Sequence, residues 1–188
     1  GSNSPALTTN AVSKQKKVDP STYPPLVSGI ANADIELTDG TKFKIADRKG
    51  KVMLVNLWGI WCGPCRAEMP HLVELQNKYR DQGFQVIGLN VGDEDQQLED
   101  LDKIKAFGEN NKPQINYELA RAPRETTNQI YRLASFDAVP ISLLIDGDGH
   151  LRAVLRGGAS SDGARSPPAA GNHGASARAS EGRASIAS

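Results

Sequence analysis

The stretch Val52-Met53-Leu54-Val55-Asn56-Leu57-Trp58-Gly59-Ile60-Trp61-Cys62-Gly63-Pro64-Cys65-Arg66-Ala67-Glu68-Met69-Pro70 decides how this chain is read. Its first seven residues form a largely apolar run of the kind that makes a strand buried on both faces. Residues 66–80 then place Met69, Leu72, Val73, Leu75 and Tyr79 at helical spacing. Cys62 and Cys65, the two cysteines of the 188-residue chain, fall between strand and helix. Cys62 therefore stands at a helix N-terminus. There the unpaired N–H groups and the positive end of the helix dipole favour an anion and lower a thiol pKa. Cys65 lies one turn further in, within reach of a disulfide.

Outward from that unit, residues 84–91 read as a second buried strand, parallel to the first through a right-handed crossover. Upstream, residues 33–38 and 41–45 alternate polar and apolar around Asp39-Gly40, a hairpin signal. Downstream, residues 95–107 read as a helix with Leu98, Leu101 and Ile104 spaced by three, residues 115–118 as a short strand, and residues 124–133 as a helix. Residues 139–146 and 150–156 read as strands joined by Asp146-Gly147-Asp148-Gly149. Residues 1–30, with four prolines and little apolar periodicity, have the composition of a linker or tether. The domain is expected over residues 31–158. Residues 159–188 are rich in Ala, Ser, Gly and Arg, with Ile186 the one large aliphatic residue, and read as a low-complexity, disordered or non-native tail.

Bulk properties remove several partner classes. Twenty-two basic and twenty-two acidic residues give zero formal net charge, so there is no electrostatic footprint for nucleic acid or an acidic membrane surface. No apolar run approaches the roughly 18 residues that span a bilayer. The chain opens Gly1-Ser2, which reads as the remnant of a protease cleavage, and an export signal or membrane tether is expected to have stood before it.

The strand, the WCGPC motif with Arg66-Ala67-Glu68-Met69-Pro70, the Val139-Pro140 step and the strand after it resemble the TlpA/ResA-like thiol:disulfide oxidoreductases of the thioredoxin superfamily. The resemblance covers residues 35–156. It implies an α/β, thioredoxin-like fold with an N-terminal β-hairpin and a central helix-strand insertion. It also implies a closing C-terminal helix, for which residues 159–188 lack the apolar content, so that helix reads as missing or replaced and one sheet face as partly bare.

The resemblance further implies a function: dithiol-disulfide exchange by an enzyme that needs no cofactor. Its partners would be disulfide-containing exported proteins, in cytochrome c maturation for example, and an upstream membrane or soluble thiol reductant. Its place would be periplasmic or extracytoplasmic. Cys62 is then the attacking thiol and Cys65 the resolving one. Gly63-Pro64 between them resembles the reducing thioredoxins. Glu68, three residues after Cys65, shares its helix face; position alone fits a solvated glutamate, and the resemblance makes it a tuner of thiol pKa or a proton carrier. Asn56 stands where plain thioredoxins carry a buried aspartate. Pro140 is expected to be cis, with Val139 offering its backbone to a substrate strand, and Trp61 is expected in the apolar rim.

Two cysteines have other uses, against which the remaining residues speak. A zinc site needs two more ligands, and His71, His150 and His173 have no paired spacing. Soft-metal delivery, copper(I) above all, is the alternative function for the same dithiol, weakened by the presence of only Met53 and Met69. A peroxidatic Thr-x-x-Cys is replaced here by Gly59-Ile60-Trp61-Cys62.

Overall fold

The computed structural model describes residues 22–95 and 97–157. Seven strands form one sheet in the order β2-β1-β5-β4-β3-β6-β7. In chain order they are β1 (Ile35–Leu37), β2 (Lys42–Phe43), β3 (Val52–Trp58), β4 (Phe84–Asn90), β5 (Glu118–Arg121), β6 (Ile141–Ile145) and β7 (Leu151–Arg156). The helices are α1 (Ser28–Ala31), α2 (Gly63–Tyr79), α3 (Leu101–Asn110) and α4 (Arg124–Ala134). β3 pairs in parallel with β4, and β4 with β5; β6 runs antiparallel to both β3 and β7. The expected β3-α2-β4 unit is thus the centre of the molecule.

Strand alternation divides the core in two. Met53, Val55 and Leu57 point to one face and join Ile87, Leu89, Ile141, Leu143 and Ile130. Leu54 and Trp58 point to the other and join Cys62, Cys65, Met69, Leu72 and Val73 of α2 and Ile104 of α3. Period two therefore turns Asn56, between Leu54 and Trp58, toward α2. On α2 the buried positions are Cys65, Glu68, Met69, Leu72, Val73 and Gln76, a stripe at steps of three and four. Glu68 lies inside that stripe. Gln76 is used structurally: its Oε1 accepts from Val86 N at 2.7 Å, satisfying a buried strand donor.

The hairpin expected around Asp39-Gly40 forms at the sheet edge. Asp39 accepts from the N–H and the hydroxyl of Thr41 at 2.9 and 2.6 Å, and Gly40 takes φ 84°, open to glycine at no steric cost. The turn at Asp146–Gly149 likewise joins β6 and β7.

Three expectations are corrected. The helix read over 95–107 begins only at Leu101, capped by Asp100, whose side chain accepts from Asp102 N. Upstream, Asp93 accepts from Gln97 N at 2.8 Å, a local bond that competes with helical pairing and leaves Leu98 exposed. The strand read over 115–118 is Glu118–Arg121 instead. Its interior Leu119-Ala120 carries little β-propensity, and its ends are held by ion pairs of Glu118 with Arg48 and Arg121 with Glu36. Finally, residues 22–30, read as part of the linker, pack on the domain. Leu26 and Ile30 are buried, and Leu26 N and Leu151 N bond to Gly149 O and Pro24 O at 3.0 and 2.9 Å. Two apolar residues four apart beside prolines were too sparse a pattern to stand out.

Residues 1–21 and 158–188 lie outside the described residues, and with them the readings of a low-complexity tail and of a closing helix missing or replaced. Among those described, Val52, Leu54, Leu75, Tyr79, Leu144 and Leu155 line an apolar groove of about 450 Å³ between α2 and the sheet.

Gly88 of β4 is a packing requirement. A Cβ there would stand 2.7 Å from Leu119 Cδ2, 3.1 Å from Trp58 Nε1 and 3.2 Å from Tyr117 Cε2. Gly88→Ala is expected to destabilise the fold by about 1–3 kcal/mol through overpacking, read as a lowered urea midpoint at unchanged slope. An unchanged midpoint would show that Leu119 relaxes without cost.

Candidate active site

Cys62 is the N-cap of α2, with extended φ/ψ of −79° and 104°. Its Sγ accepts from Cys65 N at 3.1 Å, so the first turn of the helix points a donor at the sulfur that must carry negative charge. Cys62 and Cys65 are joined as a disulfide, and both are largely enclosed, at 3% and 1% exposure. Of the two, Cys62 is the outer. Pro64 fits the first helical turn, where its missing N–H has no partner to lose.

Val139 O lies 3.7 Å from Cys62 Sγ. The Val139–Pro140 bond is cis, as expected; Lys112–Pro113 is cis as well. Gly157 N donates to Pro140 O at 2.9 Å, tying this step to the end of β7. Trp61 is 43% exposed, and its Nε1 donates to Gly92 O at 2.9 Å. Gly59 makes room for that ring: a Cβ there would meet Trp61 Nε1 at 2.7 Å. Between Trp61 and Val139 opens a cavity of about 560 Å³, also lined by Val91, Asp93, Arg124 and Asp137.

Beneath the dithiol lies a polar cluster that the sequence reading found only in part. Asn56 Nδ2 donates to Glu68 Oε1 at 2.5 Å and to Ser142 Oγ at 3.0 Å. Glu68 is 7% exposed. Burial raises its pKa, against the Asn56 hydrogen bond and the His71 charge, which both lower it. Ser142 of β6 and Tyr117 went unremarked in the sequence. Ser142 pairs with Asn56 across β3 and β6, a neighbour that period two identifies once strand order is known. Tyr117 is raised too, first by burial and then by the Glu68 charge. Arg66 and His71 are exposed; His71 Nδ1 is 3.9 Å from Glu74.

An enclosed disulfide at a helix N-cap, facing the Val139–Pro140 step, with a buried carboxyl one turn below, defines a thioredoxin-like redox protein. The chain matches the AhpC/TSA family over residues 29–154 and belongs to it. The thiol-disulfide oxidoreductase ResA of Bacillus subtilis (strain 168) is 26% identical over 130 residues, 69% of this chain and 66% of that protein. ResA of Geobacillus kaustophilus (strain HTA426) is 29% identical over 131 residues, 69% of each. A ResA of Bacillus cereus is 34% identical over 111 residues, so the chain spans 58% of that relative's length. Among solved structures, a thiol:disulfide interchange protein of the thioredoxin family from Chlorobium tepidum TLS superposes with TM-score 0.57 and 27% identity, over 75% of this chain and 90% of that one. A thiol:disulfide interchange protein from Bacteroides sp. gives TM-score 0.56 and 26% identity, over 72% and 82%.

Proposed function

We propose that the protein is an extracytoplasmic thiol:disulfide oxidoreductase that reduces disulfides of exported proteins, apocytochrome c before haem attachment among them. The observation that carries this is the Cys62–Cys65 disulfide at the N-cap of α2 with Val139 O over Cys62 Sγ.

The chemistry runs through that geometry. In the reduced protein Cys62, held as thiolate by the helix N-terminus, attacks one sulfur of the substrate disulfide. The substrate S–S bond breaks, its second sulfur leaves as thiolate, and a mixed disulfide forms. Val139 offers its backbone to the substrate strand as it docks, and Trp61 bounds the cleft beside it. Cys65 gives its proton to Glu68 and attacks Cys62 Sγ, releasing the first substrate sulfur as thiolate. Two electrons have passed to the substrate, and the protein holds the Cys62–Cys65 disulfide. An upstream thiol reductant, delivered by a membrane or soluble partner, returns it to the dithiol. No helix among the described residues is long and apolar enough to cross a membrane.

Two further features favour redox exchange over delivery of copper(I). Among the described residues, the one group of three or more potential ligands is Asp146, Asp148 and His150, at the far end of β6 from Pro140. Met53 packs in the core on the opposite sheet face from the dithiol, which leaves Met69 as the one methionine in the cluster that holds Cys62 and Cys65. Titration against glutathione or thioredoxin couples tests the direction. A potential near the thioredoxin value of about −270 mV fits a reductant, and one near −120 mV would make the protein an oxidant.

A further inference from the structure

The chain is neutral overall, yet its charge is unevenly placed around the reactive sulfur. Six of the ten residues 93–102 are acidic and none is basic. Trp61, the residue before Cys62, fastens the start of that run to the site, since its Nε1 donates to Gly92 O at 2.9 Å. Asp93 is held in turn: its N–H donates to Gln97 O at 2.9 Å, and its Oδ1 accepts from Gln97 N at 2.8 Å. The start of the acidic run is therefore a fixed wall beside the dithiol.

That wall borders the cavity of about 560 Å³ between Trp61 and Val139. Val91, Tyr131 and the exposed ring of Trp61 give the cavity apolar and aromatic sides. Asp93 and Glu94, after β4, and Asp137, before β6, bring three carboxylates to it against the one guanidinium of Arg124, a surplus of two negative charges. Elsewhere Glu36, Glu118, Glu125 and Asp146 each meet an arginine. Among the described residues, Asp93, Glu94 and Asp137 form no ion pair. Apolar sides with a surplus of carboxylates suit a lysine or arginine: its aliphatic stem lies along apolar surface, and its charged head meets carboxylates and aromatic faces.

We propose that this cavity is a specificity pocket that seats a lysine or arginine flanking the substrate cysteine, with Glu94 and Asp137 as the residues that select its charge. The inference rests on the exchange reaction at Cys62 argued above. What carries it is the continuity of the cavity with the reactive sulfur: Val139 lines the cavity, and Val139 O lies 3.7 Å from Cys62 Sγ. A substrate strand held along Val139 with its cysteine on Cys62 turns the residue two places away to the same side, about 7 Å along. A cationic side chain there enters the cavity without a detour. The same surplus of negative charge draws basic segments to the cleft before they dock, so it acts on the rate of encounter as well as on register.

The test uses the reduced full chain and short peptides with one cysteine, carried as a mixed disulfide with a chromogenic thiol. The peptides differ only in having Lys, Glu or Leu two places to either side of that cysteine. Attack by Cys62 on the peptide sulfur releases the chromogenic thiolate, whose absorbance gives the rate. The Lys peptide is expected to react about tenfold faster than the Glu peptide at low salt, with the Leu peptide between them. The difference closes toward about 1 M salt, where the screening length is about 3 Å. Glu94→Gln with Asp137→Asn leaves Asp93 to balance Arg124 and brings the Lys-to-Glu ratio near one; Glu94→Lys with Asp137→Lys inverts it. Both positions are exposed, and Asp93 is kept because it holds the loop, so the ratio within each protein reads charge and not folding. Equal rates for the Lys and Glu peptides, a Leu peptide faster than both, or a ratio that survives the neutralising pair would overturn the pocket and leave the exchange reaction standing. If no peptide reacts faster than with free cysteine at the same thiol concentration, the exchange reaction falls and the pocket with it.

Discussion

Cys65→Ser is expected to accumulate covalent adducts with disulfide-bearing proteins, while Cys62→Ser accumulates none and falls to the uncatalysed rate of insulin reduction. The asymmetry follows from the cap. Cys62 Sγ is the sulfur that Cys65 N donates to at 3.1 Å, and it is the sulfur beside Val139 O. It is both the better stabilised thiolate and the one facing the cleft. With Cys65 removed the attack still proceeds, but nothing displaces the substrate from Cys62, and the mixed disulfide persists. With Cys62 removed, Cys65 is left at 1% exposure, a thiol without access. Non-reducing gels with a substrate-trapping incubation read this directly. Equal trapping by both variants would mean that attack and resolution are not divided between the sulfurs, and a metal-holding dithiol would then become the better account. Alkylation against pH gives a second check: Cys62 reacts first, at a lower apparent pKa.

What was legible in the sequence follows the strength of its local signals. β3 and the first turns of α2 were plain because an apolar run broken only by Asn56, a Gly-Pro pair and helical spacing agree in one place. The cis-proline step and the role of Glu68 came with the resemblance to a known family, since spacing alone left Glu68 compatible with a solvated surface. Its burial was nonetheless encoded: Cys65, Glu68, Leu72 and Gln76 form a single row on α2, and Asn56 alternates onto the facing side of β3. Polar residues in that row hid it, because a search for apolar periodicity passes over a glutamate and a glutamine. Ser142 and Tyr117 were out of reach for another reason. Their place beside Glu68 depends on β6 lying next to β3 and on the path taken before β5, which are long-range pairings that no window of sequence contains. The late start of α3 at Leu101 and the shift of β5 to Glu118 show local bonds and ion pairs overriding propensity.

Glu68→Gln is expected to stabilise the protein at neutral pH while slowing it. Burial is the first cause of the raised Glu68 pKa, so the folded state holds this proton more tightly than the unfolded chain does. Between the unfolded value and the raised folded one, the native state binds more protons, and stability therefore falls as pH rises through that window. Above it, the wild type carries the full cost of a buried carboxylate, about 1.4 kcal/mol for each unit by which the pKa is raised. Glutamine retains an oxygen for the Asn56 Nδ2–H bond without the charge, so the variant melts higher than the parent at pH 7 to 8 and the difference narrows toward pH 4. Catalysis moves the other way. Losing the carboxylate removes the acceptor for the Cys65 proton, and general acid–base assistance of this kind is worth about 10²–10⁴ in rate. The missing negative charge also lowers the apparent thiol pKa. Which effect wins depends on pH: while Cys65 remains protonated the lost acceptor dominates and the variant is slow, and once it ionises unaided the deficit closes. Thermal melts and insulin-reduction rates measured across pH on the same two proteins therefore diverge in opposite senses near neutrality. A glutamine variant that is less stable at pH 7, or that trails the parent by one constant factor at every pH, would mean that Glu68 is held for packing and not for its proton.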